Sequence, residues 1–360
     1  MLWSQNILSG ILRIAYGALT VVCSAGLLEI TAGAFAARVD PVTALDPVTR
    51  YAYKPGLDLV STAEEYRITF RTDSMGLRGG GSGEVGRAPP TKGGFYFIGD
   101  SFTEGLGVDC EKTFAAAVAR SKRKDFFNAG MHGGAPPFYV LRNQKFLKRL
   151  APEAVFVQIY DNDAIDMDAM SEFISPGPSG EMRVKPLSEK ESLRIHLIEH
   201  SSFLSALRIR LRENHSPWFF RAGTAPAELP PGTDASKTSD SFGFYGKTKM
   251  ESPWSNRLEL LAASINRMIL DLHVLAPDAR LVLIHIPDRT IYQYSLVSQE
   301  QNAVRAMVRL AAARSGAIFV DGQVALSRDP GTKYFPGNGH INADGHAAIA
   351  RAILMQSGVR

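Results

Sequence analysis

The feature that most constrains this chain is a series of short segments that are apolar at almost every position, each followed by a helical pattern. From Gly93 the order is FYFIG, the helical EKTFAAAVARSKR, then DFFNAG, the helical PFYVLRNQKFLKRL, and AVFVQIY ending at Tyr160. Strands with no polar alternation have both faces covered, and strands separated by helices pair in parallel. The expectation is an α/β fold, a three-layer α/β/α sandwich around a flavodoxin-like, doubly wound parallel sheet. The alternation breaks at about 164–250, which reads as a mid-chain insertion. It carries an amphipathic stretch with Leu193, Leu197, Leu204, Leu207 and Leu211 on one side and Arg194, Arg208, Arg210 and Arg212 among the others, then the Pro/Gly/Ser-rich TAPAELPPGTDASKTSDS. Such a stripe is more often core packing than a membrane-surface helix. Helical spacing resumes with Leu258, Leu261, Ile265, Met268 and Leu272, followed by RLVLIHIP, a helix over 298–314, the strand AIFVDG and a last helix over 347–355.

The N-terminal segment sets the compartment. IAYGALTVVCSAGLL at 14–28 has no charge, and after Glu29 the chain continues ITAGAFAA to Ala37. Counted across Glu29 this exceeds ~20 residues, enough to span ~30 Å of hydrocarbon as a transmembrane helix. Arg13 precedes the stretch and the next positive residue is Arg38, which favours an N-terminus inside and an exported remainder, periplasmic or extracellular. Ala34-Phe35-Ala36 also resembles a cleavage site, and cleavage would leave a secreted protein. Length and the charge at Glu29 favour the retained anchor. The chain then divides into an anchor or signal at 1–37, a lead-in segment with a Gly-rich linker at 38–90, and a catalytic-sized domain at 91–360. At 45% hydrophobic and 21% charged residues it is globular. Its net charge of +4, from 40 basic and 36 acidic residues, forms no basic stripe, so nucleic acid is not an expected partner. Two cysteines, Cys23 and Cys110, exclude a disulfide framework and a Cys-rich metal centre.

Chemistry concentrates where strands end. Gly99-Asp100-Ser101-Phe102-Thr103-Glu104-Gly105 follows the first apolar run and precedes a helix. At that edge of a parallel sheet ligands bind, and a helix start favours an anionic intermediate. An ordinary N-cap accounts for the serine equally well on its own. Asn128-Ala129-Gly130 ends the second strand, Tyr160-Asp161-Asn162-Asp163 the third, and Phe335-Pro336-Gly337-Asn338-Gly339-His340-Ile341-Asn342 leads into the last helix. In this order the four blocks resemble the SGNH (GDSL) hydrolase superfamily, over roughly 93–356 apart from the insertion. TDSMGLRG at 72–79 is similar to the lead-in found ahead of the motif in membrane-anchored bacterial members.

The resemblance implies Ser101 as nucleophile and His340 as general base, with an oxyanion hole from the Ser101 amide, the Gly130 amide and the Asn162 side chain. A serine hydroxyl needs a base to take its proton, and an oxyanion needs donors fixed in advance. His346 then reads as a helix-start or packing residue, and His132 as a loop histidine behind Gly130. Relatives carry an aspartate two or three residues before the base, where this chain has Gly337 and Asn338. An asparagine oxygen can orient an imidazole, with Asp288 or Asp344 as the alternative acid. No cofactor is implied, and the histidines lack the third ligand of a metal site. The implied activity is a serine esterase or acyltransferase acting on an acyl ester, O-acetyl above all, of an exported or envelope glycan. The competing class is a non-catalytic carbohydrate-binding or assembly protein that keeps the pocket.

Overall fold

The computed structural model describes residues 2–35, 43–44, 52–79, 92–171, 174–176, 182–185, 187–204, 254–292 and 298–359. The Gly-rich linker beyond Gly79 lies outside the described residues, as does the part of the insertion from 205 onward, with Leu207, Leu211, Arg208, Arg210 and Arg212. The strands are β1 (Thr43–Ala44), β2 (Ala52–Tyr53), β3 (Asp58–Ala63), β4 (Tyr66–Arg71), β5 (Phe95–Ile98), β6 (Phe126–Asn128), β7 (Ala154–Tyr160), β8 (Ile174–Pro176), β9 (Met182–Val184), β10 (Arg280–Ile286) and β11 (Ile318–Asp321). The helices are α1 (Leu2–Phe35), α2 (Ser101–Glu104), α3 (Phe114–Lys122), α4 (Pro136–Leu150), α5 (Asp163–Ser171), α6 (Glu189–His200), α7 (Trp254–Leu275), α8 (Ser298–Ser315), α9 (Gly322–Ser327) and α10 (Ala343–Gln356).

The chain forms two compact units, Met1–Pro41 with Leu187–Thr224, and Val42–Pro186 with Ala225–Arg360. In the first, α1 contains a stretch, Arg13–Ala32, long and apolar enough to cross a membrane. Glu29, the acid within that stretch, accepts hydrogen bonds from the Ser201 hydroxyl at 2.7 Å, from the Phe203 amide at 3.3 Å and from the Ser202 amide. Helix α6 opens with a reciprocal cap: the Ser188 hydroxyl accepts from the Glu191 amide, and the Glu191 carboxylate accepts from the Ser188 amide.

The second unit is built on a five-stranded parallel sheet in the order β11-β10-β7-β5-β6. Read from the other edge, its strands run second, first, third, fourth, fifth, the doubly wound order expected from the apolar runs. Strand alternation divides the core between two faces. Phe95 and Phe97 pack with Phe114 and Val118 of α3 and Ile349 and Ile353 of α10. Tyr96 and Ile98 pack on the opposite side with Leu147 of α4, Ile265 and Met268 of α7, and Val304 and Val308 of α8. The chain leaves β5 for β6 on one side and returns to β7 on the other, which makes the carboxyl ends of β5 and β7 the topological switch point of the sheet. Ahead of the sheet, β3 and β4 form an antiparallel hairpin whose Ile68 and Phe70 are buried, and Arg78 beyond it has no exposed surface.

Three buried carboxylates, Asp100, Asp163 and Asp166, lie close enough that their charges oppose one another. Burial and the charge of Asp100 hold the Asp166 carboxyl well above its ordinary range, and its Oδ2 has no hydrogen-bond partner. A carboxyl whose folded-state pKa is raised binds more protons folded than unfolded, so its contribution to stability falls as pH rises above about 3.9. Asp166→Asn should therefore stabilise the fold by on the order of 1 kcal/mol, roughly 2–4 °C in Tm, at pH 8 and by less at pH 5, in thermal melts followed by circular dichroism. An equal effect at both pH values would refute this electrostatic origin.

Candidate active site

Ser101 opens α2 directly beyond β5. Asp100 caps the helix, its carboxylate accepting from the Phe102 amide at 2.8 Å, and Gly105 closes it in the left-handed region at φ 80°. The Ser101 amide lies in the first turn, where a helix has no internal acceptor for it. A Cβ on Gly99 would lie 2.3 Å from the Thr103 hydroxyl and 2.4 Å from Gln158 Oε1, so only glycine lets the strand end sit this close to α2 and β7. Gln158 uses that oxygen to accept from the Asp100 amide at 3.2 Å and the Thr103 hydroxyl at 2.9 Å. The turn that carries Ser101 is thereby fixed to the central strand.

His340 Nε2 stands 2.8 Å from Ser101 Oγ across 239 residues of sequence. Its ring lies nearly parallel to Phe102 at 4.8 Å, and Phe102 in turn packs on Tyr160 at 4.2 Å. The loop carrying His340 is held from outside. Arg289 donates to the carbonyls of Phe335, at 3.0 Å, and Pro336, and the Glu65 carboxylate accepts from the Gly337 amide at 2.6 Å. Burial pushes the His340 pKa down to about 4, against the opposing effect of the Asn338 carbonyl and the negative charges of Glu104 and Asp288. The imidazole is therefore neutral at neutral pH.

The structure separates the three groups that the sequence offers as orienting acid. Asn338 meets the ring through its main-chain carbonyl, 3.3 Å from His340 Nδ1, while its side-chain oxygen accepts from the His340 amide at 2.9 Å. Asp288 gives one oxygen to the Tyr160 hydroxyl and the other to Thr290, at 2.8 Å from its amide and 2.7 Å from its hydroxyl. Asp344 is exposed in the first turn of α10. His346, fully buried, accepts from the Phe114 amide at 3.2 Å and stacks on Phe114, which joins α10 to α3.

Of the oxyanion candidates, Asn162 sits in the turn after β7, and its side-chain oxygen is buried without a partner. Gly130 follows β6, where a Cβ would come within 2.1 Å of the Glu104 amide nitrogen. The Gly130 amide donates to Asn128 Oδ1 at 3.0 Å.

A second buried cluster adjoins the Ser101 turn, and sequence patterning carried little sign of it. The Glu104 carboxylate, with no exposed surface, accepts from the Tyr53 hydroxyl at 2.8 Å and the His132 amide at 2.8 Å, and lies 3.3 Å from His132 Nδ1. Arg78 donates to the carbonyls of Glu104, Gly105 and Val108. The signal for Arg78 was its place in TDSMGLRG; for Tyr53 there was none. Beyond β7 and β10, Asp161 binds His285 Nε2 at 2.7 Å and accepts from the Asp288 amide at 2.8 Å, which ties the Asn162 turn to the Asp288 loop. Among the described residues, no three His, Cys, Asp or Glu side chains converge to hold a metal ion.

No curated protein matches the chain. Similar solved structures include a catalytic mutant of Axe2, an acetylxylan esterase from Geobacillus stearothermophilus, with TM-score 0.41 and 14% identity over 75% of this chain and 95% of that one. The lipase Lip_vut3 from a goat rumen metagenome gives TM-score 0.44 and 9% identity over 74% and 98%. LAE5, an alpha/beta hydrolase enzyme from the metagenome of Lake Arreo, Spain, gives TM-score 0.42 and 17% identity over 76% and 97%. The model of the GDSL-like lipase/acylhydrolase family matches residues 97–348, from within β5 to within α10, and the chain belongs to that family of serine ester hydrolases.

Proposed function

We propose that this protein is a membrane-anchored, exported esterase or acyltransferase that cleaves an acyl ester, O-acetyl above all, of an envelope glycan through an acyl-Ser101 intermediate. The observation that carries the reading is the 2.8 Å contact between Ser101 Oγ and His340 Nε2 beyond the carboxyl end of β5. With Nε2 unprotonated, the Nδ1 proton points to the Asn338 carbonyl, and His340 is ready to act as base. Ser101 Oγ attacks the ester carbonyl as Nε2 takes its proton. The tetrahedral oxyanion is met by the Ser101 amide and the Asn162 side chain, donors worth about 10²–10³ in rate each. The Gly130 amide joins them by sharing its bond to Asn128. His340 then protonates the leaving alkoxide, and water or a sugar hydroxyl takes the acyl group from Ser101.

The glycan assignment rests on the N-terminal segment: a domain carried out of the cytoplasm on α1 faces envelope polysaccharide. Release of acetate from an O-acetylated polysaccharide, set against release of fatty acid from a glycerol ester, distinguishes that substrate from lipid. Hydrolysis of a small aryl acetate, absent in Ser101→Ala, with an organophosphonate adduct on Ser101 detected by intact mass, tests the nucleophile. A folded protein with neither property would instead be the non-catalytic binder.

Two outcomes follow from the geometry around His340. Because its ordinary pKa is pushed down to about 4, kcat/KM toward a neutral aryl acetate should hold its plateau through pH 6 and fall with a midpoint near 4. A midpoint near 6.5 would show that burial does not keep the ring neutral. Because the Nδ1 acceptor is a main-chain carbonyl, Asn338→Ala and Asn338→Asp should each change kcat/KM by less than about ten-fold, whereas loss of an orienting side chain costs about 10⁴. A loss of that larger size in Asn338→Ala would restore the side chain to the orienting role.

A further inference from the structure

Asn162 stands directly before α5 without capping it. Its carbonyl accepts from the Ile165 amide at 2.8 Å and the Asp166 amide at 3.0 Å, the main-chain bonding of an N-cap residue. An asparagine at that position ordinarily turns its side-chain oxygen onto an amide of the first turn. Here that oxygen is buried and meets no donor. The side chain is therefore held off the helix it precedes, and its direction follows from the main chain on either side.

That main chain is clamped by its neighbours. Tyr160, at the end of β7, gives its hydroxyl to Asp288 and its amide to the Asp163 carboxylate at 3.4 Å, and Asp163 also accepts from the Tyr139 hydroxyl at 3.3 Å. Asp161 reaches across to β10: one oxygen meets His285 Nε2 at 2.7 Å, and the other accepts from the Asp288 amide at 2.8 Å. His285 lies opposite Ile159 in the parallel register and has no exposed surface, and Asp161 is buried with it. With both carboxylate oxygens accepting, His285 Nε2 carries the proton, and its Nδ1 is buried without a partner. A carboxamide in place of Asp161 would accept at one oxygen only and turn its NH2 group toward the second donor. The pair thus has a specific chemical requirement, at the residue next to Asn162.

We propose that Asp161, held by His285, is a positioning residue that aims the Asn162 side chain at the oxyanion formed when Ser101 is acylated. It acts through Asn162 and touches no reacting atom. A donor that is not fixed before the charge develops loses part of its effect, so the stiffness of this turn is itself part of the stabilisation. The proposal rests on the reading of Ser101 as nucleophile and Asn162 as oxyanion donor.

The test is a double-mutant cycle on the full-length protein, read as kcat and KM for a neutral aryl acetate, with Tm recorded for each variant. Asn162→Ala removes the donor and should lower kcat by about 10²–10³ with KM little changed. Asp161→Asn keeps the shape and should lower kcat by roughly ten-fold, again with KM little changed. In the Asn162→Ala background the same Asp161→Asn change should cost less than about two-fold, because the side chain it aims is gone. His285→Gln, which still offers an N–H to Asp161, should retain more kcat than His285→Leu. A cost of Asp161→Asn that is equal in both backgrounds is the behaviour of a structural strut and would overturn the proposal. A rise in KM with kcat unchanged, or equal losses in the two His285 variants, would overturn it as well. Should Asp161→Asn fail to fold, His285→Leu measured with and without Asn162→Ala decides by the same criterion. Full kcat in Asn162→Ala alone would refute the oxyanion role itself, and the proposal with it.

Discussion

A guanidinium with no access to solvent holds the ground on which the site stands. An unpaired buried charge is among the most destabilising features a fold can contain, so Arg78 must find acceptors, and it finds them in the carbonyls of Glu104, Gly105 and Val108. Those carbonyls close the short helix that begins with Ser101. The Arg78 amide also donates to the Asn128 carbonyl at 3.0 Å, and the Asn128 side chain donates to the Thr103 carbonyl at 2.8 Å. The lead-in segment, α2 and the end of β6 thus form one hydrogen-bonded knot. The ring of Phe70, 5.0 Å from the guanidinium, joins the hairpin to it.

The apolar runs made the sheet legible because a strand buried on both faces admits a polar residue only where it is hydrogen-bonded, as Gln158 is, and β5 and β7 are buried at every position. Ser101 and His340 stood out as candidates because they fall on a strand end and a loop, and the structure brings them together at the sheet edge. What patterning missed depends on packing across the chain. Tyr53 and Glu104 are 51 residues apart and meet because the lead-in folds against α2. Likewise, nothing local distinguishes the Asn338 carbonyl from its side chain as the acceptor for His340. That choice is made by a loop held at Phe335, Pro336 and Gly337 by Arg289 and Glu65.

Three buried histidines illustrate how environment assigns work to one side chain type. His285 has a carboxylate partner and serves as a strut between two strand-end loops. His346 has an amide and an aromatic ring, and serves as packing. His340 has the serine hydroxyl on one nitrogen and a carbonyl near the other, and the proposed role as base rests on that arrangement. Burial alone does not make a histidine catalytic; the second nitrogen's partner decides what the first is free to do.

The acid in α1 has a consequence for the fate of that helix. Glu29 receives its hydrogen bonds from residues some 172 to 174 positions later, at the end of α6. A leader peptide is discarded once it has passed the membrane, so its side chains have no lasting partners in the mature protein. Here residues 201–203 supply a hydroxyl and two amides to a residue that precedes Ala36. Cleavage of the chain near Ala36 would strip those donors of their acceptor, so the hydrogen bonds at Glu29 tie α1 to the residues that end α6.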